Sequence, residues 1–593
     1  MKYKSILFTL LMCVCVQALS LNLQEFKHSS FIYAQGNDYY QFEDDVMIEQ
    51  HPEILRVNHN MNAELYHSIV DDINAILANH KELNQAKYGI AVFSTKLNDW
   101  IFSKNHKQLL VPASNTKLVT TFANFDLLGA NYMVETPVIT DGTIENGVLN
   151  GNVYIVGGGD ALLTISDIEV IADAIQRLGI TRINGNIYGD NSFFDKVSNR
   201  FLYSGDKDEV QPTAPITALA IERNVVNVIV TSGAIAGRPV NVQTRPASSA
   251  FTFSNSAVVR GAAQTKKSML DSAFWNNDLS DDLADYANNF SSHTNNFSNN
   301  TNDLLSVPDD LLDDYTNLAG DSRLQISQNR NTKKAPARRP ANPITITTSL
   351  QNGRQTFTVQ GSLPPNRTFS YRHFIQNPAL VVAGVLRDRL IAGGITVNGE
   401  IGEKEISVSS GISFTDLFVF KRDINQSIQI ANKQSDNFVS EMLFKLNGAI
   451  NRESANVTKN AKTTLLQALK NNNIDATGFT FNDGSGLSRR NLISAEGLVN
   501  ILLQARNRNF RNNFENSLSI AGVDGTLANR MASSPVRNNL KAKTGTHKNV
   551  SSLAGVLETR SGDTLYFAYI FNGGSVGLYK RLENQISIKL SEY

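Results

Sequence analysis

Apolar residues recur at three- and four-residue intervals through Leu65, Ile69, Ile73, Ile76 and Leu77, which predicts an amphipathic helix. The run Tyr88-Gly89-Ile90-Ala91-Val92-Phe93 reads as a strand, Asn98-Asp99 as a turn, and Trp100-Ile101-Phe102 as the start of a second strand. Pro112-Ala113-Ser114 then opens a helix carrying Leu118, Val119, Phe122, Phe125, Leu127 and Leu128. From Tyr132 to about Ala250 the pattern changes to short β segments punctuated by glycine, as in the stretch from Gly151 to Asp160. β-like segments resume at Pro343 and lead into a helix from Pro378 to Leu390. Beyond about Ile412, helices alternate with strands at Leu553–Val556 and Leu565–Phe571, and a last helix follows Gly577. The predicted class is mixed α/β.

Three stretches break this pattern. Lys2 and Lys4 precede an apolar run from Ile6 to Val16 that closes on Val16-Gln17-Ala18, the layout of a secretory signal over residues 1–20. The run is too short to span a bilayer with ease, so the expectation is export to the periplasm or cell envelope. Residues 21–61 are polar and irregular and read as a spacer. Residues 275–340 are crowded with Asn, Asp and Ser and then turn basic and Pro-containing, too polar to bury a core, and read as a solvated loop. Both cysteines, Cys13 and Cys15, fall inside the signal-like segment. A processed chain would therefore rest on its cores alone.

Length and charge narrow the field. At 593 residues the chain is too long for one ordinary core. With 55 basic and 55 acidic residues it has no global basic field, so nucleic acid is not an expected partner. The nine histidines are scattered and none forms H-E-x-x-H, which gives metal hydrolysis no support; neither metal nor cofactor is expected.

Three short motifs carry the chemistry: Ser114-Asn115-Thr116-Lys117, Ser435-Asp436-Asn437 and Lys543-Thr544-Gly545. Ser114 and Lys117 stand three apart at a helix start and share a face. A serine hydroxyl needs an adjacent base, and a neutral lysine amine can serve. The lysine pKa must then fall from about 10.4 by roughly three units, a cost of about 4 kcal/mol. Burial and a nearby cation such as Lys543 push that way. The Ser435 hydroxyl can pass a proton between Lys117 and a leaving amine, and the Asn437 amide can hold a peptide. Lys543 and Thr544 begin a predicted edge strand where an extended peptide could pair, leaving the lysine for a terminal carboxylate. Gly545 permits close backbone approach, and Asp436 reads as structural. A second S-x-x-K, from Ser204 to Lys207, lacks partner motifs and reads as a turn.

With these motifs the chain resembles the type-4, class C low-molecular-mass penicillin-binding proteins, which are D-alanyl-D-alanine carboxypeptidases/endopeptidases. The resemblance covers most of residues 86–593. It includes Val111 to Lys117, Gly157-Gly158-Gly159-Asp160, the segment from Asp483 to Arg489, and Gly522-Val523-Asp524-Gly525-Thr526-Leu527. It implies a β-lactamase/transpeptidase-like catalytic domain, an antiparallel sheet flanked by helices, from residues 62–131 and 412–593. A β-rich inserted region, residues 132–411, would interrupt it. It also implies an oxyanion hole from the N–H groups of Ser114 and Thr546, and a cleft acid at Asp190 that reads a free amine of the peptide. The expected partners are peptidoglycan peptides, with β-lactams as covalent inhibitors. Peripheral membrane association and oligomeric state stay open.

Two other readings share the motifs: a secreted serine β-lactamase, and a catalytically idle wall-binding or sensor module. The first would need a deacylating carboxylate in a compact domain, and no segment clearly resembles that loop. Intact Ser114, Lys117, Ser435 and Lys543 weigh against the second. Phe201 or Tyr203 stands about where relatives often have tryptophan, and His547 follows the third motif where an apolar residue is common.

Overall fold

The computed structural model describes residues 63–207, 211–261, 343–406 and 413–593. The signal-like segment, the spacer over residues 21–61 and the Asn/Asp-rich stretch lie outside the described residues.

A six-stranded antiparallel sheet organises the half of the molecule expected to be catalytic. Its strands are β1 (Lys87–Ser94), β2 (Asp99–Lys104), β3 (Ser519–Ile520), β4 (Lys541–His547), β5 (Val550–Glu558) and β6 (Thr564–Asn572), in the order β3-β4-β5-β6-β1-β2. Strict alternation sends Leu565, Phe567, Tyr569 and Phe571 to one face and Tyr566, Ala568 and Ile570 to the other. Both faces are apolar because both are covered. Helices α1 (Ala63–Ala78) and the C-terminal α5 (Val576–Ser591) cover the first, through Ile73, Leu582 and Ile586. Helices α2 (Thr116–Leu128), α3 (Asn437–Ile450) and α4 (Ala495–Arg506) cover the second. There Phe122 packs edge-on against Phe510 and Phe514. A fully buried side chain of this kind contributes about 1.5–3 kcal/mol.

Between α2 and α3 the chain makes a long β-rich excursion. It leaves along Met133–Thr140 and returns along Thr415–Asp423, and these two strands pair antiparallel from Met133↔Asp423 to Thr140↔Thr415. They belong to a five-stranded sheet that is completed by Val153–Val156, Ile187–Asp190 and Ile401–Glu403. The pairing keeps residues 415–423 with the excursion, so the return to the catalytic half falls after Asp423 and not at the expected 412. Sequence alone could not place it, because a strand's allegiance is set by its partner. A separate core, containing Ile168, Ile171, Val228, Phe357, Val382 and Leu386, joins the smaller sheets to the helices Ile165–Arg177 and Pro378–Ala392.

Candidate active site

Ser114 lies in a single 3-10 turn, Ala113–Asn115, that runs directly into α2. Ala113 has φ 48°, a left-handed conformation that costs about 1–2 kcal/mol outside glycine. Two hydrogen bonds to β5 hold the turn: Asn115 Nδ2 donates to Ser552 Oγ at 2.7 Å, and Ser552 Oγ donates to the Pro112 carbonyl at 2.6 Å. The backbone of β4 passes equally close. A Cβ on Gly545 would stand 2.5 Å from the Pro112 oxygen and 3.2 Å from the Ser114 nitrogen, so only glycine fits. That proximity brings the Gly545-Thr546 backbone beside the Ser114 N–H.

Lys117, one turn on, is fully buried and points back at the serine. Its Nζ lies 3.0 Å from Ser114 Oγ, 2.9 Å from Asn437 Oδ1 and 2.6 Å from the Ser485 carbonyl. Burial pulls its pKa down to about 8, against the opposing pull of Asp483, Glu441 and Asp436. Lys543, also fully buried, donates to Ser435 Oγ at 2.8 Å and to the Thr544 carbonyl at 2.9 Å. Burial first, then the charge of Lys117, hold its pKa well below the usual lysine value. Thr544 Oγ1 donates to Thr526 Oγ1 at 2.7 Å, which ties the third motif to the Gly522–Leu527 segment. Strand β4 pairs fully with β5, but on its other side β3 reaches only Lys541 and Ala542. From Lys543 onward that edge is open.

The structure thus gathers Ser114, Lys117, Ser435, Asn437, Lys543, Thr544 and the Gly545-Thr546 backbone into one cluster. In the described contacts, Ser435 bonds to Lys543 rather than to Lys117. The structure gives Asp190 backbone partners away from Ser114. This residue ends a strand of the inserted sheet, is 2% exposed, and its carboxylate accepts the Ser192 N–H at 2.6 Å and the Ile406 N–H at 2.8 Å. Both described partners are backbone N–H groups, one two residues on and one from the returning end of the excursion. The second S-x-x-K is equally local: Ser204 donates to Asp206 at 2.8 Å while Lys207 is exposed.

Several residues were invisible as site members. Glu441 is fully buried in α3, where its carboxylate accepts the Tyr203 hydroxyl at 2.7 Å, the Ser485 N–H at 2.8 Å and the Gly484 N–H at 3.3 Å. Asp483, also buried, accepts from Arg200 at 3.0 Å and from the Gly486 and Ser488 N–H groups at 2.9 and 2.7 Å. Arg200 bridges on to Asp206 at 2.9 Å. Gly486 has φ 83°, and its carbonyl stands 2.6 Å from His547 Nε2. Gln211 Oε1 accepts from Asn437 Nδ2 at 3.1 Å. The available signal for Glu441 was a helix apolar on nearly every side, which places even its charged residues in a core.

An antiparallel sheet covered by helices on both faces, with a serine and a buried lysine at the start of a helix against it, is the catalytic fold of transpeptidases and β-lactamases. The chain belongs to the D-Ala-D-Ala carboxypeptidase 3 (S13) family, whose sequence profile matches residues 69–280 and 269–592. It is 26% identical over 539 residues to the D-alanyl-D-alanine carboxypeptidase of Actinomadura sp. (strain R39), covering 88% of this chain and 84% of the relative. A penicillin-sensitive carboxypeptidase A of Dictyostelium discoideum is 22% identical over 493 residues, 80% of each chain. The fold matches penicillin binding protein 4 of Haemophilus influenzae with a TM-score of 0.60, at 19% identity over 88% of this chain and 99% of the other. The same protein complexed with a β-lactam gives a TM-score of 0.58, at 19% identity over 88% and 100%.

Proposed function

We propose that this protein is a serine D-alanyl-D-alanine carboxypeptidase/endopeptidase of the cell envelope, working on peptidoglycan stem peptides and cross-links through an acyl-enzyme on Ser114. One observation carries the reading: the set of partners around Lys117. A neutral amine has two N–H donors and one lone pair. Asn437 Oδ1 and the Ser485 carbonyl can only accept, so they take the two N–H groups. The lone pair is left facing the Ser114 hydroxyl at 3.0 Å. With its pKa near 8, a useful fraction of the lysine is neutral at physiological pH.

Ser114 Oγ gives its proton to Lys117 Nζ as it bonds to the carbonyl carbon of the penultimate D-alanine. The Ser114 and Thr546 N–H groups hold the oxyanion. The C–N bond breaks, and the leaving amine takes a proton relayed through the Ser435 hydroxyl. Water then attacks the ester, and its proton returns by Lys117. Lys543 and Thr544 hold the terminal carboxylate, the open edge of β4 pairs with the peptide backbone, and Asn437 exchanges Gln211 for the substrate amide. β-Lactams would acylate Ser114 by the same route, in keeping with the penicillin-sensitive relative and the β-lactam complex. Glu441 and Asp483 are committed to N–H, hydroxyl and guanidinium donors, which leaves no free base there for rapid deacylation. Export rests on the signal-like residues 1–20.

Intact mass after incubation with a β-lactam tests the reading. One adduct is expected in the wild type and none in Ser114→Ala; an adduct that persists in Ser114→Ala rejects Ser114 as nucleophile. Mass spectrometry of defined muropeptides then apportions terminal trimming and cross-link cleavage.

A further inference from the structure

Glu222, Arg223 and Asn224 all lie in the left-handed region, with φ 49°, 55° and 56°. No other run of three non-glycine residues does so among the described residues. Strain of this kind persists only where the surroundings over-determine it, and here the outer two residues are anchored in the inserted region. Asn224 Nδ2 donates to the Pro215 carbonyl at 2.8 Å and to Thr217 Oγ1 at 3.0 Å, and Asn224 Oδ1 accepts the Ile221 N–H at 3.2 Å. The Glu222 carboxylate accepts the Ile165 N–H at 3.1 Å.

Between these anchors Arg223 reaches into the catalytic half and donates to Asp436 Oδ2 at 2.8 Å. The other oxygen of Asp436 accepts the Val439 N–H at 2.9 Å and caps α3. Ser435, the residue before, is itself left-handed with φ 55°. One ion pair therefore joins two strained turns, one in each half of the molecule. Gln211, also from the inserted region, holds the Asn437 amide.

We propose that Arg223 is a positioning residue, through which the inserted region holds the Ser435-Asp436-Asn437 turn so that Ser435 meets Lys543 and Asn437 meets Lys117. The inference rests on the reading of Ser114 as nucleophile and adds a task for the inserted region. It also has an electrostatic side. Asp436, Asp483 and Glu441 raise the proton affinity of Lys117 against its burial, and the Lys543 amine, bonded to Ser435 and the Thr544 carbonyl, feels the charge of Lys117. Arg200 balances Asp483 and Arg223 balances Asp436. Without Arg223, the charge of Asp436 acts on Lys117 uncompensated, and the pKa of Lys117 moves up.

The test is the rate of Ser114 acylation by a β-lactam across a pH series, with thermal melting in parallel, on the full chain. Wild type must first form an adduct that Ser114→Ala lacks; failure there rejects the nucleophile and is distinct from failure here. Arg223→Gln should slow acylation roughly tenfold, as befits one lost, partly exposed charge-assisted bond. It should also raise the pH midpoint by about half a unit, with little change in melting. Arg223→Lys should restore the midpoint, since the charge remains, but not the full rate, since the planar fork is gone. Asp436→Asn preserves the helix cap, and in that background Arg223→Gln should move the midpoint no further. A wild-type rate and midpoint in Arg223→Gln overturns the proposal. So does an equal shift in the Asp436→Asn background, or a rate loss that merely follows a lower melting temperature. Should Arg223→Gln not fold, wild-type values in both Arg223→Lys and Asp436→Asn overturn it instead.

Discussion

The Ser485 N–H donates to the Glu441 carboxylate at 2.8 Å, while the carbonyl of the same Ser485 receives Lys117 Nζ at 2.6 Å. One buried residue, through its two flanking peptide groups, thus links an acid on α3 to the amine on α2. Glu441 orients the carbonyl that Lys117 uses, and its charge favours the protonated lysine.

The pH dependence of acylation follows from this link. Burial lowers the pKa of Lys117 to about 8, and the neutral form is the base, so the rate should rise as pH passes upward through about 8. Glu441 acts in the opposite direction to burial. Glu441→Gln keeps the shape, removes the charge and should shift the midpoint downward by roughly half to one unit. Stopped-flow acylation at several pH values reads both. A midpoint that stays in place would mean Glu441 carries no charge in the working enzyme.

Lys543→Ala separates carboxylate recognition from proton chemistry. A charge-assisted hydrogen bond is worth about 1.5–3 kcal/mol, so kcat/KM on peptides ending in free D-Ala-D-Ala should fall roughly ten- to more than a hundredfold. A neutral ester of the same peptide should lose less. Equal losses on both, with the midpoint moved up, would show that Lys543 acts chiefly on Lys117, the cation whose charge helps to hold the pKa of Lys543 down. Unchanged activity on both substrates would remove Lys543 from the site.

Gly486→Ala should damage both stability and catalysis. At φ 83°, a new Cβ would stand 2.0 Å from the Ala113 carbonyl oxygen and 2.9 Å from Thr116 Oγ1, inside the nucleophile turn. Strain and overpacking together should cost roughly 2–5 kcal/mol, and acylation should fall with them. Gly562→Ala is the control: at φ 75° with no atom within 4 Å of its Cβ, it should show only the strain of about 1–2 kcal/mol and normal acylation. Equal behaviour of the two in melting and acylation assays would disprove the close approach at Gly486.

The frame was legible where periodicity is a local property. The continuous apolar runs of β1 and β6, the amphipathic α1 and the serine at a helix start all follow from neighbours in sequence. What stayed hidden depends on partners far along the chain. Glu441 and Lys445 stand four apart on α3, a spacing at which they could pair with each other. Both are instead fully buried, and they turn to Tyr203 and Asp195 respectively. Arg223 could not be read either, because its turn is held by Pro215, Thr217 and Ile165. Asp190, expected in the cleft only from the resemblance, accepts instead from the N–H groups of Ser192 and of Ile406, the latter 216 residues along the chain.

The open side of β4 bears on how the molecule coexists with copies of itself. Unpaired strand edges invite neighbouring chains to add on, which is how folded proteins begin to clump. Here the vacant stretch is brief. β3 closes it at Ala542, and at the far end the His547 ring meets the Gly486 carbonyl while Arg489 grips the carbonyl of Lys548 at 2.6 Å. The unpaired stretch is thus only Lys543 to His547, far less free backbone than a full edge strand offers to another copy of the chain.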